Sequence, residues 1–164
     1  VALDAAISGD SFAVVTVTRS KGIVYVKECR VWYPPPAGKI DYADIERYVR
    51  DLKQRYIVRE FAYDQYQMHS MATRLYGRLG FWRAFPQSQD RLVADKQLYD
   101  FIRDGKIVHD GDRELAAHIA NANAKLEGDK LRIVQRNEQK KVDAAVCLSM
   151  AVARAEHYRI GGEA

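Results

Sequence analysis

Three aspartates stand where a charge is awkward unless something uses it. Asp4 interrupts the apolar run Val1-Ala2-Leu3-Asp4-Ala5-Ala6-Ile7, Asp64 closes the run Phe61-Ala62-Tyr63, and Asp143 opens the Ala-rich stretch from Val142 to His157. An ionised side chain within a strand costs several kcal/mol when buried without a partner, so compensation is required. Each residue also has a plainer reading: Asp4 on a solvated edge strand or bonded to a backbone amide, Asp64 as the start of a turn, Asp143 as a helix N-cap. At helical spacing Asp143 shares a face with Val146, Cys147 and Met150, the face expected to pack on a sheet. If the three carboxylates converge, their repulsion raises at least one pKa. Hard divalent cations relieve that repulsion, and a donor set of oxygens without His or Cys at ligand spacing favours Mg²⁺ or Mn²⁺ over zinc. Two such ions about 3.5 to 4 Å apart activate a water, hold a phosphate and stabilise the departing oxygen of an in-line displacement. The chemistry implied is phosphodiester hydrolysis.

A polyanionic substrate needs cations nearby. Lys130, Arg132, Arg136, Lys140 and Lys141 lead into Asp143 with Glu138 as the interrupting acid, and their position before a candidate ligand suits DNA phosphates as well as a solvated face. Arg74, Arg78, Arg83 and Arg91 form a weaker second set. The overall balance, 26 Lys+Arg against 22 Asp+Glu, leaves +4, which permits a nucleic-acid partner without requiring one. His69, His109, His118 and His157 lack the spacing of a zinc site and read as structural, with His109 beside Asp110 left open. Asp10 is the best additional acid near the site, although a turn role suits it better. Asp95, Asp100, Asp104 and Asp112 read as helix-surface or capping groups. Cys29 and Cys147 form no C-x-x-C pair and read as buried apolar residues in a reducing compartment.

The elements that must position these residues follow from periodicity. The β-branched run Phe12–Thr18 and the segment Ile23–Tyr33 are separated by Arg19-Ser20-Lys21-Gly22, and Pro34-Pro35-Pro36 ends the second. With the run at Val1–Ile7 they predict a three-stranded antiparallel meander. The pattern then turns helical at Ile45, Tyr48, Val49, Leu52 and Tyr56 behind the N-cap Asp41. A strand from Ile57 to Asp64 is expected next, then a helix over Met68, Met71, Ala72, Leu75 and Leu79 closed by Gly80. Phe81–Phe85 reads as a short buried strand, Arg91–Asp104 as a helix and Lys106–Val108 as an edge strand. The stripe Leu115, Ile119, Ala122 and Leu126 predicts a helix stopped by Gly128, Lys130–Gln135 a strand or hairpin arm, and Val142–His157 a final helix. Such alternation calls for parallel strands beside the meander, with the first and fourth strands adjacent and a site at their ends. The chain's 164 residues suit one domain; no run of about 18 apolar residues suggests a membrane span, and the start in an apolar strand without Met suggests a piece of a longer protein.

These residues, taken in order, resemble a known family. Leu3-Asp4-Ala5-Ala6 with Gly9-Asp10-Ser11, then Phe61-Ala62-Tyr63-Asp64-Gln65-Tyr66, then Lys141-Val142-Asp143-Ala144-Ala145-Val146 are similar to the C-terminal nuclease domain of tailed-phage large terminase subunits. The stretch from Gly105 to Asp112, followed by a helix with His118 and Asn121-Ala122-Asn123, resembles the HK97-like branch. Gln65 stands where the family often has Pro, and Ala144 where Gly is common. The resemblance implies an α/β, RNase H-like mixed sheet flanked by helices and a single nuclease domain over residues 1–164. Its implied activity is a metal-dependent endonuclease that cuts concatemeric double-stranded DNA during genome packaging in the host cytoplasm. It further implies Asp4, Asp64 and Asp143 as catalytic ligands of two Mg²⁺ or Mn²⁺ ions, with a packaging ATPase, the small terminase subunit and the capsid portal as partners. No G-x-x-x-x-G-K-[ST] phosphate loop occurs in this sequence. An RNase H, Holliday-junction resolvase or transposase relative, or a non-catalytic DNA-binding module, are the alternatives.

Overall fold

The computed structural model describes residues 1–5, 11–137 and 139–160, so the Gly9-Asp10 turn, Asp10 itself and Glu138 lie outside the described residues. The meander forms as β1 (Ala2–Ala5), β2 (Phe12–Ser20) and β3 (Ile23–Trp32), antiparallel in sequence order, with a register shift at Thr16/Val17. Lys21 and Gly22 close the β2–β3 turn at positive φ, which Gly22 adopts without strain. Helix α1 (Tyr42–Arg55) begins at Asp41, whose carboxylate accepts from the Ala43 amide as the N-cap reading requires. Strand β4 (Phe61–Asp64) returns beside β1 in parallel, pairing Leu3 with Tyr63. It is followed by α2 (Gln65–Leu75), β5 (Trp82–Phe85), α3 (Gln89–Arg103), β6 (Ile107–Val108) and α4 (Arg113–Asn121). The hairpin of β7 (Ala122–Glu127) and β8 (Lys130–Gln135) then leads to α5 (Asp143–His157).

The main sheet has six strands in the order β5-β4-β1-β2-β3-β6, with β5 and β6 as parallel edges. Period-two alternation sorts its side chains into two cores. Leu3, Phe12, Val14, Phe61 and Tyr63 pack with α1 and α2 on one face. Ala2, Ala13, Val15 and Ala62 pack with α3, α4 and α5 on the other. Helix α5 is buried along most of its length, and its alanines at 144, 145, 151 and 155 allow the backbone close to the sheet.

Four expectations need correction. The predicted helix from Leu115 to Leu126 stops at Asn121: Ala122 is extended, residues 122–127 pair with β8, and Leu126 lies in solvent at 72% exposure. Its stripe mixed two residues of a true helix face, Leu115 and Ile119, with two strand residues, Ala122 and Leu126. Strand β4 begins at Phe61 rather than Ile57, which is 98% exposed and has no core to enter. Helix α2 ends at Leu75, before the positive-φ residues Gly77 and Gly80, although Leu79 stays buried beyond it. The segment at Phe81 is an edge strand, not a buried one, with Phe81 and Arg83 exposed.

Candidate active site

Alternation decides where the first two carboxylates point. Asp4 follows Ala2 by two residues and Asp64 follows Ala62 by two, so both belong to the sheet face covered by α5. Since β1 and β4 are parallel neighbours, both lie at the same, C-terminal, end. This is the end at which open α/β sheets carry their sites. Asp143 is the first residue of α5, the helix that packs across β1 and β2 on that same face. The N-cap position belongs to Val142 instead, and Asp143 has the Ser11 hydroxyl donating to its Oδ2. Asp4 and Asp143 are 7% and 8% exposed, whereas Asp64 is more open and caps α2 by accepting from the Tyr66 amide at 2.9 Å.

Burial pushes the Asp4 carboxyl well above its ordinary range, and the neighbouring charges of Asp143 and then Asp64 push it the same way. Arg91 opposes them. This guanidinium is buried beneath the site, donating to Asp95 at 2.7 Å and to the Gln87 side chain at 2.9 Å. Both other acids thus act electrostatically on Asp4. Among the described residues, no group of three or more His, Cys, Asp and Glu side chains stands in ready metal-ligating geometry. The donor set still suits a hard cation: two buried carboxylates and a third at the rim, all oxygen, with a charge excess that a cation would reverse.

The remaining sequence candidates separate. Lys130 and Arg132 on β8 reach back to α3 and its lead-in, donating to the Gln89 side chain and the Gln87 carbonyl at 2.5 Å each. Arg136 donates to the Ala122 carbonyl at 3.4 Å, and Lys140 is exposed in the approach to α5 beside Lys141. The second basic set does not form a patch. Arg74 pairs with Glu46, Arg83 with Glu60, and Arg91 is interior. Asp95, expected on a helix surface, is fully buried and accepts from Arg91, Ser149 and the Ile133 amide. Asp112 caps α4 as expected, and Asp100 is a surface partner of Lys96. The open His109 accepts from the Gly111 amide within its own exposed turn. Cys147 is buried, while Cys29 is only partly covered, with its thiol pushed up to about 12 chiefly by burial.

Sequence reasoning missed Ser11 and Arg91 as neighbours of the carboxylates, and left His118 without a task. His118 is buried on α4, where burial holds its pKa below the ordinary value despite the nearby charges of Asp143 and Glu114. Cavity size does not mark this site. A cavity of about 740 Å³ opens at the opposite end of the sheet, beside Val1, Thr16, Glu60 and Arg154.

The chain is 26% identical over 98% of its length to the Gene 13 protein of Mycobacterium phage L5, of which it spans about 30%. The crystal structure of the HK97 bacteriophage large terminase superposes with a TM-score of 0.80 at 16% identity, covering 94% of this chain and 38% of that one. The large terminase nuclease from thermophilic phage G20c, solved with bound magnesium, superposes with a TM-score of 0.59 at 11% identity, covering 94% and 92%. The fold is therefore the RNase H-like mixed sheet flanked by helices that the resemblance implied. The family model for the terminase large subunit endonuclease domain matches residues 31–158, a span that contains Asp64 and Asp143 and begins after Asp4. On that match, over most of its length, the chain belongs to the family of terminase large subunit endonuclease domains.

Proposed function

We propose that this chain is a divalent-metal-dependent endonuclease domain that cuts concatemeric double-stranded DNA during phage genome packaging. The observation that carries the reading is the placement of Asp4 and Asp64 at adjacent strand ends, on the face that α5 crosses with Asp143 at its first residue. Asp4, Asp64 and Asp143 would hold two Mg²⁺ or Mn²⁺ ions. Such ions supply activation of water and stabilisation of the departing oxygen. The magnesium in the G20c nuclease supports this assignment. The chain's own residues do the rest. The Ser11 hydroxyl orients the Asp143 carboxylate. Arg91 supplies a fixed interior charge that moderates repulsion around Asp4. Lys130, Arg132, Arg136, Lys140 and Lys141 offer cations along the hairpin and the approach to α5, where they would contact the phosphate backbone and set its register.

In this reading residues 1–164 act as one nuclease domain beside a packaging ATPase, working with the small terminase subunit and the capsid portal in the host cytoplasm. The share of the L5 protein that the chain spans supports a longer functional unit. No helix among the described residues is long and apolar enough to cross a membrane. Incubation with supercoiled plasmid tests the activity: Mn²⁺- or Mg²⁺-dependent nicking and linearisation are expected, and Asp64→Asn should abolish both. Cleavage unaffected by that substitution contradicts the assignment. Preferential cutting of an RNA–DNA hybrid or a four-way junction in competition with duplex would redirect it to a different substrate.

A further inference from the structure

Helix α5 starts without a cap of its own. Val142 at the N-cap position has no side-chain acceptor, so the first-turn amides need partners from elsewhere. One is supplied by α4: the Ala144 amide donates to His118 Nδ1 at 3.0 Å, in a buried bond. Three residues further along α4, on the same helical face, Asn121 Nδ2 donates to the Lys141 carbonyl at 3.0 Å. The two side chains hold the backbone immediately before and immediately after Val142-Asp143.

The protons of this arrangement are fixed by their partners. His118 Nδ1 accepts a backbone N–H, so the ring proton sits on Nε2, where it meets the Tyr33 phenolic oxygen at 3.1 Å. Tyr33 in turn donates its O–H to Glu114 Oε2 at 2.8 Å. Glu114 belongs to the first turn of α4, so the chain of bonds closes on the helix from which it began. One assignment of hydrogens satisfies every member. From the sheet side, Ser11, immediately before β2, completes the frame by bonding the Asp143 carboxylate.

We propose that His118 and Asn121 are positioning residues that clamp the backbone on both sides of Asp143 and hold its carboxylate at the site shared with Asp4 and Asp64. Tyr33 and Glu114 lock His118 in the tautomer the clamp needs. The inference rests on the reading of the three aspartates as metal ligands, and it deepens that reading. A carboxylate held by its backbone needs less reorganisation to share an ion, and partners of this indirect kind typically change metal affinity by about 10- to 100-fold.

The test uses the whole domain with Mn²⁺ as probe. Nitrogen-15 NMR of His118 in the metal-free protein should show protonated Nε2 and unprotonated Nδ1; the opposite tautomer overturns the clamp. By calorimetry, Asn121→Ala and Tyr33→Phe should each weaken Mn²⁺ binding about tenfold while the midpoint of thermal unfolding stays within a few degrees. Excess Mn²⁺ should restore their nuclease activity. His118→Gln, whose amide oxygen can still accept from Ala144, should bind Mn²⁺ more tightly than His118→Leu. Wild-type binding with all four variants unchanged overturns the clamp alone. A wild-type domain that binds no Mn²⁺ overturns the ligand reading and the clamp with it.

Discussion

Asp95 is the carboxylate whose charge the scaffold should tolerate losing least. It is fully buried, and its two oxygens accept from Arg91 Nε at 2.7 Å, Ser149 Oγ at 2.5 Å and the Ile133 amide at 2.9 Å, tying α3 to α5 and to β8. The Arg91 side chain is only 7% exposed, so it has little water to turn to if its partner goes. Asp95→Asn keeps the shape and removes the charge. In one amide orientation its NH₂ faces the Ile133 amide; in the other it faces Arg91 Nε. Either way donor opposes donor, and a buried cation loses its counter-charge. Breaking a buried pair in this manner costs roughly 3–5 kcal/mol. At about 2–4 °C per kcal/mol for a domain of this size, the melting temperature should fall by roughly 6–20 °C. Ser149→Ala removes one donor and leaves the ion pair, so about 1 kcal/mol is expected. The double replacement Arg91→Met with Asp95→Leu should be less destabilising than Asp95→Asn alone, because no charge remains to be orphaned. Thermal and urea unfolding followed by circular dichroism measure all three. A loss below about 1 kcal/mol for Asp95→Asn, or a double variant more destabilised than Asp95→Asn, refutes the reasoning.

Other consequences follow from the same geometry. Asp4→Asn should stabilise the metal-free protein at pH 8. Burial and Asp143 raise the folded carboxyl's pKa, so wild-type stability falls as pH rises from the unfolded value near 3.8; the gain should vanish toward pH 4 in pH-dependent urea titrations, and its absence at pH 8 contradicts the electrostatic account. Glu60 behaves oppositely. Burial alone would raise its pKa, but Arg154 at 2.6 and 3.0 Å and the Tyr158 hydroxyl at 2.6 Å outweigh it and hold the carboxyl below its ordinary range. Its contribution is therefore present above an unfolded value near 4.5 and lost as pH falls through the folded one. Glu60→Gln should cost about 3 kcal/mol at pH 7 in urea unfolding, with the deficit shrinking below pH 4. Arg136→Ala with Lys140→Ala should lower the slope of log K against log salt for a short duplex by about 2, roughly one per phosphate contact, measured by fluorescence anisotropy.

Much of the fold could be read from local chemistry. β-Branched runs broken by turn residues defined the meander, and Asp41 marked the start of α1. The adjacency of β1 and β4 followed from the change in period, because a strand reached by a crossover has few places to pair. Helix ends were less legible: Leu126 extended an apolar stripe by chance, and only pairing with β8 shows that its segment is a strand. Asp95 looked like a surface acid because its burial comes from β8 and α5 closing over α3. The site divides in the same way. From the sequence, Asp4 and Asp64 could be set at the ends of adjacent strands and Asp143 on the helix face toward the sheet, whereas Arg91, Ser11, His118 and Asn121 meet their partners only through tertiary packing.

The central claim is that Asp4, Asp64 and Asp143 share divalent ions. Anomalous diffraction from crystals soaked in Mn²⁺ tests it most directly. The account predicts manganese peaks within ligand distance, about 2.0–2.3 Å, of oxygens from all three aspartates, and their loss in Asp143→Asn crystals. Manganese bound elsewhere, or touching none of these carboxylates at saturating concentration, would contradict it.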